Sequence, residues 1–189
     1  GPARHLRNSP SLAVIIAAKP ANETSRVAAL RRYEILDTAP DQAFDDLVFL
    51  ASEICQVPAA GVTLIDENRQ WLKARIGLDF NETTRDLAFC SHSILQGDQV
   101  FEVPDAAEDP RFADHPAVVG GPRFRFFAGA PLVDPEGHAL GTVCVMDHLP
   151  RTLPPEKREA LRALSRRAVA QLELRHQARA LAASEKEAG

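Results

Sequence analysis

The stretch Phe124-Arg-Phe-Phe-Ala-Gly-Ala-Pro-Leu-Val-Asp-Pro-Glu-Gly-His-Ala-Leu-Gly-Thr-Val-Cys-Val-Met-Asp147 reads as two long strands around a tight turn. In Asp134-Pro135-Glu136-Gly137, proline presets φ near about −65° at the second position of a type I turn, and glycine lets the chain leave with positive φ. The flanking apolar runs must therefore pair antiparallel as a hairpin. Its first arm carries Ala128-Gly129-Ala130-Pro131, residues too small to fill a core alone. Glycine inside a strand marks a bulge or the close approach of something else, so either a helix or a ligand packs there.

Toward the N-terminus, Val27, Leu30 and Tyr33 recur at helical spacing, which predicts a helix over Glu23 to Leu36 with Asn22 as its N-cap. Asp37-Thr38-Ala39-Pro40 breaks it. Phe44, Leu47, Val48, Ala51 and Cys55 then form an apolar stripe on a second helix, with Asp41, Asp45 and Asp46 at its positive end. Ala60 to Asp66 and Gln70 to Ile76 read as a second hairpin ending at Gly77. Residues 78–88 are irregular. Phe89 to Leu95 reads as a short helix stopped by Gly97, Val100 to Val103 as a brief strand, and Asp105 as the cap of another short helix. Asp109 to Pro122 forms a long irregular connection, which in compact domains is usually functional.

After Pro150 no helix breaker occurs until Gly189. About 30 residues at 1.5 Å each span about 45 Å, against about 36 Å for a globule of this size. The helix overshoots its domain. Leu161, Leu164, Ala168 and Leu172 share one face, whereas Ala170, Leu174, Ala178 and Leu181 lie well round from it. The first half is expected to pack on its own sheet and the second on another chain.

With 189 residues, 45% apolar and 25% charged, the chain suits one globular domain plus a non-globular extension. A net charge of −4 without basic clusters argues against a nucleic-acid partner. Three irregularly spaced cysteines fit free thiols in a reducing compartment. Leu12 to Ala18 is too short for a membrane span and lacks a signal-cleavage pattern, so no membrane partner and a cytoplasmic location are expected. Gly1-Pro2 reads as a remnant of tag cleavage, and Arg4 to Pro20 as an arm whose Ser11 to Ala18 run is a strand, an interaction segment or a loose extension.

The element order defines an α+β fold with an antiparallel sheet. From about Arg26 to Leu172 the chain resembles a GAF domain of the sensory kind found ahead of bacterial diguanylate cyclases and histidine kinases. The match is carried by Leu30-Arg31-Arg32-Tyr33-Glu34-Ile35-Leu36-Asp37-Thr38, Val62-Thr63-Leu64-Ile65-Asp66, Gln70-Trp71-Leu72-Lys73 and Phe89-Cys90-Ser91-His92. Asp105 with Asp109-Pro110-Arg111-Phe112, Phe127-Ala128-Gly129-Ala130-Pro131-Leu132 and Gly141-Thr142-Val143-Cys144-Val145 complete it. The resemblance implies a central sheet of about five to six strands, terminal helices on one face, and a ligand-type pocket under short helices and loops on the other. It divides the chain into an arm over residues 1–21, the GAF domain with its flanking helices over 22–172, and a signalling-helix extension over 173–189.

The resemblance places Trp71, Phe89, Cys90, His92, Asp105, Arg111, Phe112, Arg125, Phe127 and Cys144 at the pocket or its rim. Against that stand plainer readings. Phe89, Phe112 and Phe127 can be core, Trp71 can lid the sheet edge, and Asp105 can be only a cap. Arg111 and Arg125 can tie the loop to Asp109 or Asp105, yet would be the best partners of an anionic ligand. Cys90 and His92 do not share a helical face and lack further ligands, so no metal is expected. Ser91 between them and the missing Asp-Ile-Pro argue against a bilin; haem is not expected either. Cyclic-nucleotide-binding members carry an Asn-Lys element, then Phe, three residues and Asp-Glu; here Phe101 and Asp105 remain, Ala106 replaces Glu, and Asn-Lys is missing.

The function implied is a non-catalytic sensory module that binds an unknown small molecule or a partner. It would act as a homodimer through its N- and C-terminal helices, on an output domain outside this chain. Two alternatives stand beside it: a dimerisation scaffold with an empty pocket, and a reductase of free methionine sulfoxide using Cys90 and Cys144, with Cys55 inert.

Overall fold

The computed structural model describes residues 15–189; the proposed tag remnant and most of the N-terminal arm lie outside them. Helix α1 spans Glu23–Arg32, α2 Gln42–Cys55, α3 Cys90–Ser93, α4 Pro116–Val119 and α5 Pro155–Ala188. Strands are β1 Ala59–Ile65, β2 Arg69–Ile76, β3 Glu82–Thr84, β4 Phe101–Val103, β5 Phe126–Val133 and β6 Ala139–Asp147. They form one six-stranded sheet in the order β3-β2-β1-β6-β5-β4, all neighbours antiparallel. The fold is α+β, as expected.

The β5–β6 hairpin turns as its residues require. The Asp134 carbonyl accepts from Gly137 N at 3.0 Å, and Gly137 takes φ +90°. Asp134 Oδ1 accepts from the amides of Glu136 and His138 at 3.0 and 2.8 Å, so the turn's free donors are satisfied by one buried carboxylate. The central strands β1, β5 and β6 are apolar almost throughout because both faces of the sheet are covered. One face carries α1, α2 and α5. Phe44, Val48, Ala51 and Cys55 of α2 meet Leu161, Leu164, Ala168 and Leu172 of α5 over Val62, Leu64, Phe126, Leu132 and Val143. The other face carries α3, α4 and the 3-10 turns Arg85–Leu87 and Ala106–Glu108.

Gly129 answers the question its strand posed. A Cβ there would meet Ser93 Oγ at 2.8 Å and the Phe127 ring at 3.1 Å, so the approaching object is α3. Two helical expectations need correction. Helix α1 stops at Arg32 rather than Leu36, because Glu34 and Asp37 turn into the left-handed region at φ +51° and +61°. Asn22 does not cap with its side chain; its carbonyl instead accepts from Arg26 N at 2.9 Å and Ser25 Oγ at 3.0 Å. Asp41 does cap α2, accepting from Ala43 N at 2.9 Å. Strand β3 and helix α4 stand in stretches that read as irregular.

Helix α5 has 34 residues and is about 51 Å long. Its buried residues end at Leu172. Beyond that point Leu174 and Leu181 are about 60% exposed (59% and 62%). The end of α1 is pinned to α5: Tyr33 donates its hydroxyl proton to Glu173, and Arg175 donates to the Tyr33 carbonyl at 2.8 Å.

A buried charge cluster ties α1 to the sheet. Arg26 is fully buried and donates to the Ile65 carbonyl at 2.7 Å and to Glu23 Oε2 at 2.9 Å. Arg85, from the turn on the opposite face, pairs with the same Glu23, its second nitrogen at 3.0 Å. Burial alone would raise the Glu23 pKa, but Arg85 and Arg26 outweigh it and hold it at about 2.

Candidate functional site

The face opposite the long helices is closed in two ways. At the β4 end, α3 presents Phe89 and His92 to Phe101, Phe112 and Phe127. Phe89 stacks on Phe112 and Phe127 with ring centroids 4.6 and 5.2 Å apart, and His92 meets Phe112 edge-on at 4.9 Å. This cluster is filled by its own rings. Arg111 lies over Phe101 and Phe112 at 5.0 and 5.4 Å and forks onto Asp109, at 3.0 Å from Nε and 2.7 Å from the terminal nitrogen. That fork lowers the Asp109 pKa and raises that of Arg111. Burial lowers the His92 pKa, and its Nε2 lies 3.2 Å from the Ile15 carbonyl.

At the β2–β3 end the covering is incomplete and leaves a cavity of about 390 Å³. Its floor is Met146 and Gln70 of the sheet; Phe80, Leu87, Phe89, Cys90, His115 and Phe124 are among its walls. Arg125 holds the outer wall in place by donating to the carbonyls of Val118 and Phe124 at 2.9 and 3.2 Å. His115 bridges α4 to the turn before α3, with Nε2 2.6 Å from the Leu87 carbonyl and Nδ1 accepting from Ala117 N at 3.0 Å. Burial lowers its pKa, and both nitrogens are engaged, so the ring is neutral with its proton on Nε2.

The ten residues named from sequence do not converge on one site. Phe89, His92, Arg111, Phe112 and Phe127 form the filled cluster, and Phe89 and Cys90 also wall the cavity. Asp105 caps the 3-10 turn, accepting from Ala107 N at 3.1 Å, and Arg125 binds backbone rather than a carboxylate. Trp71 corrects the expectation outright: it lies on the far face, in the core beneath α2 and α5. The cause is a bulge in β2, where Val62 pairs with Ala74 and Thr63 with Leu72, leaving Lys73 as the extra residue. Gln70, Phe80, His115 and Phe124 were missed by sequence reasoning; Gln70 adjoining Trp71 in the matched motif was the available signal.

Cys90 and Cys144 meet under α3 among Thr63 and Thr142. Thr142 Oγ1 lies 2.9 Å from Thr63 Oγ1 and donates to Cys90 Sγ at 3.1 Å. Hydrogen bonding to Cys90 and burial both push the Cys144 thiol well up. Burial opposes ionising Cys90 too, while donors from Cys144, Thr142 and Thr63 act the other way and set it lower. Both sulfurs are shut from solvent, at 1% and 0% exposure. Cys55, on the α2 stripe, has its pKa raised by burial. Among the described residues, no group of three or more His, Cys, Asp or Glu is arranged to hold a metal ion, and no helix is long and apolar enough to cross a membrane.

Residues 39–172 match the family model for the GAF domain. The chain belongs to the GAF family. This GAF domain is 46% identical over 132 residues to a cyclic di-GMP phosphodiesterase of Pseudomonas aeruginosa, a match covering 70% of this chain and 22% of the relative. The chain thus spans about a fifth of that relative's length. Among solved structures it resembles the blue-light-absorbing form of the Thermosynechococcus elongatus PixJ GAF domain, with a TM-score of 0.62 at 15% identity, over 88% of this chain and 96% of that one. It also resembles the GAF domain of a Coxiella burnetii phosphoenolpyruvate-protein phosphotransferase, with a TM-score of 0.60 at 18% identity, over 86% and 99%. At those identities the likeness is one of fold.

Proposed function

We propose that this GAF domain is the non-catalytic sensory part of a larger signalling protein. It reads a small molecule in the cavity beside Phe89 and passes the result through a homodimer of its terminal helices to an output domain. The relative of 46% identity is named a cyclic di-GMP phosphodiesterase, and we assign an output of that kind to the protein that carries this domain.

The observation that carries the reading is the split in α5. Up to Leu172 it is a core helix; beyond, only polar side chains tie it to the end of α1, and Leu174 and Leu181 are bare. Phe49, Leu50 and Ile54 of α2 are also exposed, and Leu50, Ile54 and Leu174 line one groove between α2 and α5. An apolar seam running from a closed domain onto a free helix suits a second copy of itself. Coupling needs only that a ligand favour one of two helix arrangements, by about 1–3 kcal/mol in typical cases.

Sedimentation equilibrium, with native mass spectrometry of the purified chain and of the chain mixed with metabolite pools, tests this. A dimer that retains or takes up a small molecule is expected. A monomer at high concentration would overturn the coupling, and a dimer that binds nothing would establish the scaffold instead.

A further inference from the structure

We propose that the cavity beside Phe89 selects an uncharged aromatic heterocycle with an N–H donor and rejects nucleotides and other phosphate esters. This deepens the sensory reading and rests on it. The first support is Gln70, which is 4% exposed and lines the cavity. Its Nε2 donates to Thr83 Oγ1 at 3.2 Å, and that hydroxyl spends its own proton on the Thr84 carbonyl at 3.2 Å. Thr83 can therefore only accept, the amide orientation is set, and Gln70 Oε1 is left buried with no donor. Buried acceptors are almost always satisfied, and an exception calls for a missing partner.

Apart from the exposed carboxylate of Asp79, the remaining polar side chains of the wall are already engaged. His115 uses both ring nitrogens within the protein, and Cys90 Sγ accepts from Thr142. On the buried wall, Gln70 Oε1 is the acceptor left without a donor. Charge supplies the second support. Among the described lining residues the sole charged side chain is Asp79, and no Lys or Arg is present. Arg111 is forked onto Asp109 and Arg125 onto backbone carbonyls. A phosphate here would lose its water and face a carboxylate with no counter-charge. Shape is the third support: Phe80, Phe89 and Phe124 offer ring faces and edges, and about 390 Å³ lies within the range of pockets for small molecules.

Indole and benzofuran share one outline, but the N–H of indole becomes a bare oxygen in benzofuran. Saturation-transfer NMR titrations of the full chain with each, and with cyclic GMP, test the proposal. Indole is expected to bind, benzofuran about tenfold more weakly or worse, and cyclic GMP not at all. Gln70→Met should lower indole to the level of benzofuran, and Ala117→Trp, which fills the cavity, should abolish both signals. Equal binding of the pair to the unsubstituted chain, or a preference for cyclic GMP, would overturn the selectivity while leaving the cavity a binding site. Silence from all three probes, or signals indifferent to Ala117→Trp, would overturn both the selectivity and the cavity as a site.

Discussion

The two faces of this sheet are covered by the same chain to opposite ends. On one, α1, α2 and α5 bury Phe44, Val48, Leu161 and Leu172 in a continuous core. On the other, short helices and turns fill only the half around Phe89, Phe112 and Phe127 and leave a cavity over Gln70 and Met146. Regular helices present long apolar stripes that can interdigitate along a strand, whereas elements of three or four residues cannot. On the proposed sensory reading, this division would let the domain stay folded while its contents change.

The largest expected contrast is in stability. Phe44→Ala, at a side chain with no exposure, should cost about 3–5 kcal/mol in urea unfolding. Phe124→Ala should cost about 1–3 kcal/mol, because it enlarges a void that already deprives the ring of contacts on one side. Equal costs would break the contrast between the faces.

Next comes the tie between them. Glu23 joins Arg26, under α1, to Arg85, beside the cavity. Its pKa falls from 4.5 to about 2 on folding, so its contribution is complete above pH 4.5 and lost as pH falls from there toward 2. Because Glu23 is only partly buried, solvent screening leaves that shift worth about 1–2 kcal/mol. Glu23→Gln should therefore be less stable by roughly that amount at pH 7 and show a flatter decline in acid. A variant with the same acid profile as the parent would remove Glu23 from this role.

Gly129→Ala should cost about 1–3 kcal/mol by driving a methyl into Ser93 and Phe127, and Ser93→Gly should recover part of the loss. No recovery would mean that α3 is not what crowds the strand. Smallest of all, Leu174→Ser with Leu181→Ser should change the stability of the isolated fold by no more than about 0.5 kcal/mol while weakening self-association. A clear fall in unfolding midpoint measured under monomeric conditions would assign these leucines to the domain's own core.

The helix-bearing face was the legible one. The α2 stripe and the α5 stripe each repeat over several turns, and Asp134-Pro135-Glu136-Gly137 has one good solution as a turn. The cavity-bearing face was legible only in its aromatics. Strand β3 and helix α4 are three and four residues long, too short to show a period. Trp71 is placed at the pocket by the family resemblance alone; in the structure it faces the helices beyond the bulge at Lys73, and nothing in Trp-Leu-Lys-Ala announces which residue is extra. The tie of Arg111 to Asp109 was legible, two residues apart in one loop, whereas Arg125 donates to backbone carbonyls rather than to a carboxylate, and a carbonyl partner leaves no mark in sequence.

On the proposed reading, one face receives a ligand and the other couples two copies through the second half of α5. Hydrogen exchange of the amides in residues 173–188, followed across protein concentration, tests it most directly. Protection that rises with concentration, in step with conversion to a dimer by sedimentation, is the predicted result. Amides that exchange at the open rate at every concentration, in a particle that stays monomeric, would contradict it.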